Sequence, residues 1–393
     1  MSQAEWENDA TMFRAWVDEE FIPRALARQI RPAVLHPAMA EASFLPEVIE
    51  RQAEQSEFSL PIRDYLDITA SDERARTGRQ MLRRHRDLLN RIEMTFAVEP
   101  EVIAAIWGLE TGYGVVPGRY PVISALATLA FRGRRAALFE DQLIDALRLV
   151  QTRKVTPETM VGSWAGAMGH GQFMPSSVLG FGVDFDGDGR LDLWGEDPSD
   201  ALASVANYLK KHGWKTGQPW GLEVFLPPAF DYGLARPDAA RPTRNWAAMG
   251  VTDATGGALP GYGSGAILLP AGHRGAALLV LRNFLVLTAY NRAQSYAIAI
   301  GHLADRIAGG KPFRVGWPED QAPLSRTDVV TAQMLLTRAG FDTHGVDGFA
   351  GQNTARAVRA FQSVHAMVPD GHLDAAFLAR LREIAGGGPR PGV

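Results

Sequence analysis

The sequence predicts a mainly α-helical chain of the α+β class, with a small β-rich insertion and a three-helix module at its C-terminus. Three observations predict it. Apolar residues recur at helical spacing before Gly213. Between Gly217 and Asn283 this pattern gives way to many Pro and Gly residues with short apolar runs. A Pro- and Gly-rich stretch then precedes a last segment with its own apolar spacing. The length of 393 residues allows two or three domains.

The helical elements follow in chain order. Apolar spacing predicts several packed amphipathic helices between Met12 and Phe96. Further helices are predicted over Pro100–Leu109, Ala137–Val150 and Ser199–His212, then from Phe284 onward and over Ala297–Ile307. Pro100 suits a first helical turn and Gly213 suits a C-terminal stop.

Short apolar runs at Leu222–Leu226, Ile267–Leu269 and Ala277–Leu281 predict strands of the β-rich insertion. We therefore divide the chain into a large region 1–310 (helical subdomain 1–98, core 99–215 with 284–308, insertion 216–283), a linker 311–323, a three-helix module 324–385 and a disordered tail 386–393.

The composition excludes several classes of protein. Forty Lys and Arg against 44 Asp and Glu give a net charge of −4, so no global positive charge indicates a nucleic-acid partner. The absence of cysteine excludes disulfides, a thiolate nucleophile and cysteine-bound zinc.

No segment reaches the ~18 uncharged apolar residues of a spanning helix. The best candidate, Ala276–Tyr290, is interrupted by Arg282 and Asn283. The acidic N-terminus does not match a signal peptide. We therefore expect a protein that is not integral to the membrane, and that either stays in the cytoplasm or begins after a removed signal.

One carboxylate continues an apolar helix face. Glu110 follows Val102, Ile103, Ile106 and Trp107 on the same side of the predicted helix, in its last turn. Desolvation and the negative end of the helix dipole both disfavour the charged form, so we expect a raised pKa, which suits a general acid for glycosidic cleavage. The alternative is a last-turn glutamate that bends into solvent.

Two motifs decide between these interpretations. Gly-Leu-Glu-Thr-Gly-Tyr-Gly at 108–114 and the block from Gly162 to Ser177 strongly resemble the lytic murein transglycosylase B family, and the likeness extends from Phe13 to Ile307. The resemblance implies a lysozyme-like catalytic domain in which Glu110 is the single catalytic acid and base.

Several other residues are candidates for binding sugar. Small residues around Gly166 let the backbone approach a sugar closely, while Ser163 and Gln172 offer neutral hydrogen-bonding groups. Alternatively, the small residues serve only to pack helix against helix. By resemblance, Tyr208, Tyr290, Asn291 and Tyr296 also line the cleft.

No second carboxylate stands out as a partner for Glu110, although a two-carboxylate hydrolase needs one. The resemblance implies that the N-acetyl group and C6 hydroxyl of the substrate complete the reaction and give a 1,6-anhydromuramoyl end. A muramidase that uses water and a catalytically silent wall-binding protein are the alternatives. Peptidoglycan strands are the implied partner, for a monomer in the periplasm or associated peripherally with the cell envelope.

A second motif predicts a metal site. Asp184, Asp186, Asp188, Arg190 and Asp192 stand at positions 1, 3, 5, 7 and 9 of an EF-hand-like loop, which suits Ca²⁺. Position 12 is Gly195 rather than Glu. The resemblance implies closure by Asp200, with Asp197 as a rival, and the alternative is a metal-free surface loop.

The C-terminal module resembles the first family of peptidoglycan-binding domains. Gln333, the Val346–Phe349 segment, Phe361 and Asp370-Gly371 match its pattern. Most of these residues serve turns and core, so the resemblance implies wall binding without identifying the binding residues.

Overall fold

The computed structural model describes residues 3–54, 58–152 and 155–386, which are mostly helical. The helices are α1 (Gln3–Trp16), α2 (Ile22–Ala27), α3 (Pro32–Glu41), α4 (Pro46–Glu54), α5 (Ile62–Thr69), α6 (Asp72–Arg84), α7 (Arg86–Phe96), α8 (Pro100–Thr111), α9 (Val122–Arg132), α10 (Ala136–Gln151), α11 (Pro175–Phe181), α12 (Ser199–Lys211), α13 (Thr243–Ala248), α14 (Arg282–Tyr290), α15 (Gln294–Ile307), α16 (Arg326–Arg338), α17 (Gln352–Val364) and α18 (Ala375–Gly386). The strands are β1 (Phe58–Ser59), β2 (Tyr120–Pro121), β3 (Val161–Gly162), β4 (Gly221–Phe225), β5 (Arg241–Pro242), β6 (Thr252–Asp253), β7 (Ser264–Leu268), β8 (Pro270–His273), β9 (Ala277–Val280) and β10 (Leu324–Ser325). The predicted mainly helical α+β class is confirmed.

These elements form two compact units, each built from two separate stretches of chain. Unit 1 comprises Met1–Gln55 and Glu73–His212, and unit 2 comprises Ser56–Asp72 and Gly213–Val393. No helix in the described ranges is both long and apolar enough to cross a membrane.

The centre of unit 1 is a group of buried helices. Eight of the twelve residues of α8 and nine of the eleven residues of α9 are buried, which explains why both helices are largely apolar. Both pack against other helices of the unit, α9 against α10 and α8 against α7 and α12. The helix predicted from Pro100 to Leu109 is α8, which extends to Thr111 and carries Glu110 out of this core.

Unit 2 contains the β-rich part of the chain. Strands β5, β7, β9, β4 and β6 form one sheet in that order, with antiparallel neighbours. Trp246, Ile267 and Leu279 are completely buried in its core. The runs predicted as strands at Leu222–Leu226, Ile267–Leu269 and Ala277–Leu281 correspond closely to β4, β7 and β9.

The C-terminal part of unit 2 is the predicted three-helix module. Phe361, Leu336 and Leu381 are fully buried where α16, α17 and α18 meet. Ser325 and Asp328 form a reciprocal capping box at the start of α16.

Contacts within unit 2 hold the segment before this module. The backbone N–H groups of Arg314 and Val315 each donate to the Glu223 carboxylate at 2.7 Å, and Phe313 stacks on His302.

The domain boundaries remain predictions. The predicted disordered tail falls outside the described residues except for Gly386, which ends α18.

Candidate active site

Glu110 lies half-buried in the last turn of α8. The four residues that precede it on the predicted face, Val102, Ile103, Ile106 and Trp107, are all buried. The helix ends because Gly112 adopts a left-handed conformation, with φ +59°, and its N–H donates to the carbonyl of Gly108. The carboxyl group therefore stands at the boundary between the helical core and the surface.

The glycines around Glu110 have specific packing roles. A Cβ atom on Gly108 would lie 2.5 Å from the ring of Tyr113, so this position accepts no larger residue without movement of that ring. The Tyr113 hydroxyl donates to the backbone carbonyl of Arg74 at 2.8 Å, and burial raises its pKa to about 12. The guanidinium of Arg74 donates in turn to the carbonyl of Gly108. These contacts fix the turn that follows Glu110.

His170 joins α8 to the glycine-rich block. The indole Nε1 of Trp107 donates to Nδ1 of His170 at 3.0 Å. Thr111 Oγ1 donates to the carbonyl of His170 at 3.1 Å and accepts from the N–H of Gly114 at 3.0 Å. Sequence reasoning missed this pair, because 63 residues separate Trp107 from His170 and His170 was simply one member of the glycine-rich block.

Ser163 is half-buried at the start of that block. Its Oγ accepts from the N–H groups of Ala165 and Ala167, at 3.3 and 3.1 Å. With two donors directed at its oxygen, the hydroxyl is best able to act towards a ligand as a donor.

Gln172 connects the block to the loop after α8. Its Nε2 donates to the carbonyls of Pro117 and Gly169, at 3.1 and 3.0 Å, and its backbone is left-handed with φ +49°. Both amide hydrogens are therefore used by backbone oxygens, so any hydrogen bond to a sugar would be accepted by Oε1. The structure thus brings the segments of Gln172 and Glu110 together.

Tyr208 belongs to unit 1 but is mostly covered. The residue is 7% exposed, and its ring centroid lies 4.0 Å from that of His212 and 4.6 Å from that of Phe181. Burial raises the pKa of its hydroxyl. Only a small part of the ring is available for a sugar contact.

The remaining candidates, Tyr290, Asn291 and Tyr296, lie together in unit 2. The rings of Tyr290 and Tyr296 are nearly parallel, with centroids 6.3 Å apart, and Tyr296 is 3% exposed. Asn291 is exposed, and its Oδ1 accepts from the N–H of Ala293 at 3.0 Å.

The predicted metal loop brings three carboxylates together. Oxygen atoms of Asp184, Asp186 and Asp188 lie within 4.8 Å of one another at the surface. Asp184 accepts from the N–H groups of Gly187 and Gly189, which both have positive φ. Three hard oxygen donors at this spacing fit a calcium ion.

Asp200 supports this loop from a buried position. Its two carboxylate oxygens accept from the N–H groups of Phe185 and Asp192, at 2.7 and 3.0 Å. Burial raises the pKa of Asp200 and the negative charge of Asp186 adds to the rise, while these backbone hydrogen bonds oppose it. Asp197, the rival residue, instead accepts from the backbone N–H and hydroxyl of Ser199.

Two family profiles match the chain. The family described as "Transglycosylase SLT domain" matches residues 12–305, and the family described as "Putative peptidoglycan binding domain" matches residues 325–381. The membrane-bound lytic murein transglycosylase B of Escherichia coli K12 is 38% identical over 233 residues, which are 57% of this chain and 61% of that relative.

Comparison with solved structures also finds proteins that resemble this chain in sequence and fold. SltB3 from Pseudomonas aeruginosa, in complex with NAG-anhNAM-pentapeptide, is 43% identical with a TM-score of 0.91, over 94% of this chain and 99% of that chain. The Escherichia coli lytic transglycosylase SLT35, in complex with calcium, is 32% identical with a TM-score of 0.62, over 75% of this chain and 92% of that chain.

The family profile covers most of the chain and includes Glu110, Ser163 and Gln172, so the predicted resemblance is confirmed. The chain belongs to the family of transglycosylase SLT domain proteins and carries a domain of the peptidoglycan-binding family at its C-terminal end.

Proposed function

We propose that the protein is a lytic transglycosylase that cleaves the β-1,4 bond between N-acetylmuramic acid and N-acetylglucosamine in peptidoglycan. The observation that carries this proposal is the position of Glu110, half-buried at the end of a buried helix, within a chain of the transglycosylase family. Both the surrounding apolar residues and the helix C-terminus favour a protonated carboxyl group, which a general acid requires.

The proposed reaction has two proton transfers through one residue. Protonated Glu110 first donates its proton to the glycosidic oxygen, the bond from that oxygen to C1 of N-acetylmuramic acid breaks, and the N-acetyl group of the substrate stabilises the positive charge. The C6 hydroxyl then forms a bond to C1 and gives its proton to the Glu110 carboxylate. The enzyme is regenerated, and no water is consumed.

The hydrogen bonds of Ser163 and Gln172 suggest how these two residues would bind a sugar. Ser163 would donate through its hydroxyl, because its oxygen already accepts from two backbone N–H groups. Gln172 would accept through Oε1, because its Nε2 already donates to two backbone carbonyls. A matched pair of one donor and one acceptor suits an acetamido group, which offers a carbonyl oxygen and an N–H.

Mass spectrometry of muropeptides released from purified sacculi tests the reaction type. An anhydro product is lighter by one water molecule than a hydrolysed reducing end. We expect the lighter product. Hydrolysed ends would establish a muramidase that uses water, and the release of no fragments would favour a silent wall-binding protein.

We also propose that Ca²⁺ binds the acidic loop. Asp184, Asp186 and Asp188 would supply carboxylate oxygens, Arg190 its backbone carbonyl, and Asp200 would close the site. The SLT35 structure that this chain resembles was solved with calcium. A bound cation would offset the repulsion among the carboxylates, and so stabilise the loop between α11 and α12.

For the whole protein we propose a monomer that works at the peptidoglycan, in the periplasm or at the cell envelope. The match of residues 325–381 to a peptidoglycan-binding family supports a wall-binding role for the three-helix module. Co-sedimentation of the full-length Glu110→Gln protein with sacculi tests wall binding by the whole protein, because a protein that binds but does not cleave should remain in the pellet.

A further inference from the structure

Unit 2 contains a cavity of about 650 Å³, and none of the candidate residues for sugar contact lines it. The cavity is bordered by the loop before β5, the start of α15, and the C-terminal module at α17 and Asp370–His372. Its volume is within the range of roughly 300–1,000 Å³ that is typical of small-molecule sites.

The charge of this cavity is positive. Four arginines and two aspartates line it, so these side chains give a net charge of +2. The arginines are Arg236, Arg292, Arg356 and Arg359. Arg292 and Arg356 are exposed. One aspartate, Asp370, is already bonded on both oxygens, because it accepts from His273 and Gln362.

Arg359 has an unused donor inside the cavity wall. Its Nη2 donates to the backbone carbonyl of Asp370 at 3.2 Å, but its buried Nε has no hydrogen-bond partner within the described part of the chain. Desolvation lowers the pKa of Arg359, and the positive charge of Arg236 adds to this effect. A bound anion would offset the repulsion between the Arg359 and Arg236 guanidinium groups.

Two helix N-termini face the same space. Gln294 and Ser295 begin α15, Gln352 begins α17 directly after Gly351, and all four residues line the cavity. Among the described residues, neither helix has a side-chain cap that accepts from its first N–H groups. Uncapped amides and the positive helix ends favour an anion here, as the arginines do.

We propose that this cavity binds the carboxylates of the peptide stems of peptidoglycan. This proposal rests on the proposed function, in which the substrate is a glycan that carries peptide stems. Planar guanidinium groups match carboxylates in two-pronged geometry. Asn291, a candidate for sugar contact, directly precedes Arg292, so a stem that leaves a sugar held at Asn291 has a short path to the cavity.

Calorimetry with isolated stem peptide tests the proposal on the full-length protein. The probes are a synthetic stem pentapeptide with free carboxylates and the same peptide with every carboxylate amidated. We expect the free acid to bind at least tenfold more tightly than the amide. The double variant Arg292→Gln/Arg356→Gln should lose about tenfold in affinity, whereas the exposed Arg338→Gln, away from the cavity, should bind as the wild type does.

Equal binding of the two peptides, or full affinity in the double variant, would overturn the proposal. Inorganic phosphate that bound to the arginines while the free-acid peptide did not would also overturn it and assign the site to phosphate. The muropeptides released from whole sacculi, which keep their peptide stems, report on the proposed function separately. If the wild type releases no anhydro ends from sacculi, the proposed reaction is wrong while the binding result still stands.

Discussion

The indole Nε1 of Trp107 donates to Nδ1 of His170, and Nε2 of the same imidazole lies 2.9 Å from the backbone carbonyl of Gly195. Since an indole N–H can only donate, Nδ1 must accept, and Nε2 therefore carries the hydrogen that is donated to Gly195. One side chain thus links the helix of Glu110 to the segment that follows the acidic loop.

This link predicts that Trp107 and His170 act as a pair. His170→Phe should leave the Trp107 indole N–H buried without an acceptor, at a cost of about 1–3 kcal/mol in the free energy of unfolding. In a double-mutant cycle with Trp107→Phe, measured by urea unfolding, the two changes should couple by about 0.5–3 kcal/mol. Strict additivity would show that the hydrogen bond contributes nothing to stability.

The acidic loop predicts stabilisation by calcium. Ca²⁺ should raise the melting temperature, and Asp184→Ala should abolish the shift, because a ligand that binds only the native state contributes about 2.7 kcal/mol at 100-fold excess over Kd. Asp197→Ala is the matched control. Asp197 bonds to Ser199 rather than to the loop, so this variant should keep its calcium response. A wild-type melting curve that ignores both calcium and chelator would contradict the site.

The hydrogen bonds of Gln172 predict that glutamate at this position makes the protein less stable than glutamine does. Gln172→Glu replaces an Nε2 that donates to the Pro117 and Gly169 carbonyls with an oxygen that cannot donate when ionised. We expect a loss of about 1–3 kcal/mol in unfolding free energy together with reduced turnover. Thermal unfolding at neutral pH checks the first effect, and a variant as stable as the wild type would mean that these two bonds are dispensable.

The burial of His302 predicts that unit 2 loses stability at acidic pH. The residue is 6% exposed and stacks on Phe313 with ring centroids 4.0 Å apart, and burial lowers its pKa to about 4, with a smaller contribution from Arg306. The unfolded chain binds a proton below about pH 6.5 while the native state does not, so stability should fall by up to about 3 kcal/mol between pH 6.5 and 4.

His302→Phe keeps a ring beside Phe313 and removes this titration. The variant should therefore lose less stability than the wild type when the pH falls from 7 to 4.5, as measured by the urea midpoint at each pH. Parallel losses in the two proteins would place the acid sensitivity elsewhere.

The sequence predicted the features of α8 that depend on residues close together in the chain. Pro100 and Gly112 mark the two ends of α8, and the apolar spacing between them placed Glu110 at the edge of the core, as the structure confirms. The roles of Gly108 and His170 could not be predicted, because they depend on the rings of Tyr113 and Trp107, whose positions follow from packing rather than from spacing.

The same distinction applies to unit 2. The sequence predicted the strands of the insertion, but did not predict that the two-residue strand β1 pairs with β10, because so short a strand carries no periodic signal. The arginines of the cavity also come from distant stretches of chain, so no motif indicated that they would meet.

The most direct measurement is the muropeptide product of the wild-type protein beside that of Glu110→Gln. The amide keeps the shape of the carboxyl group but cannot give and take a proton, and general acid–base catalysis contributes ~10²–10⁴-fold or more. We expect 1,6-anhydromuramoyl ends from the wild type, and a loss of at least ~10²-fold from a variant that still unfolds cooperatively near the wild-type temperature. Turnover within tenfold of the wild type would remove Glu110 from the mechanism.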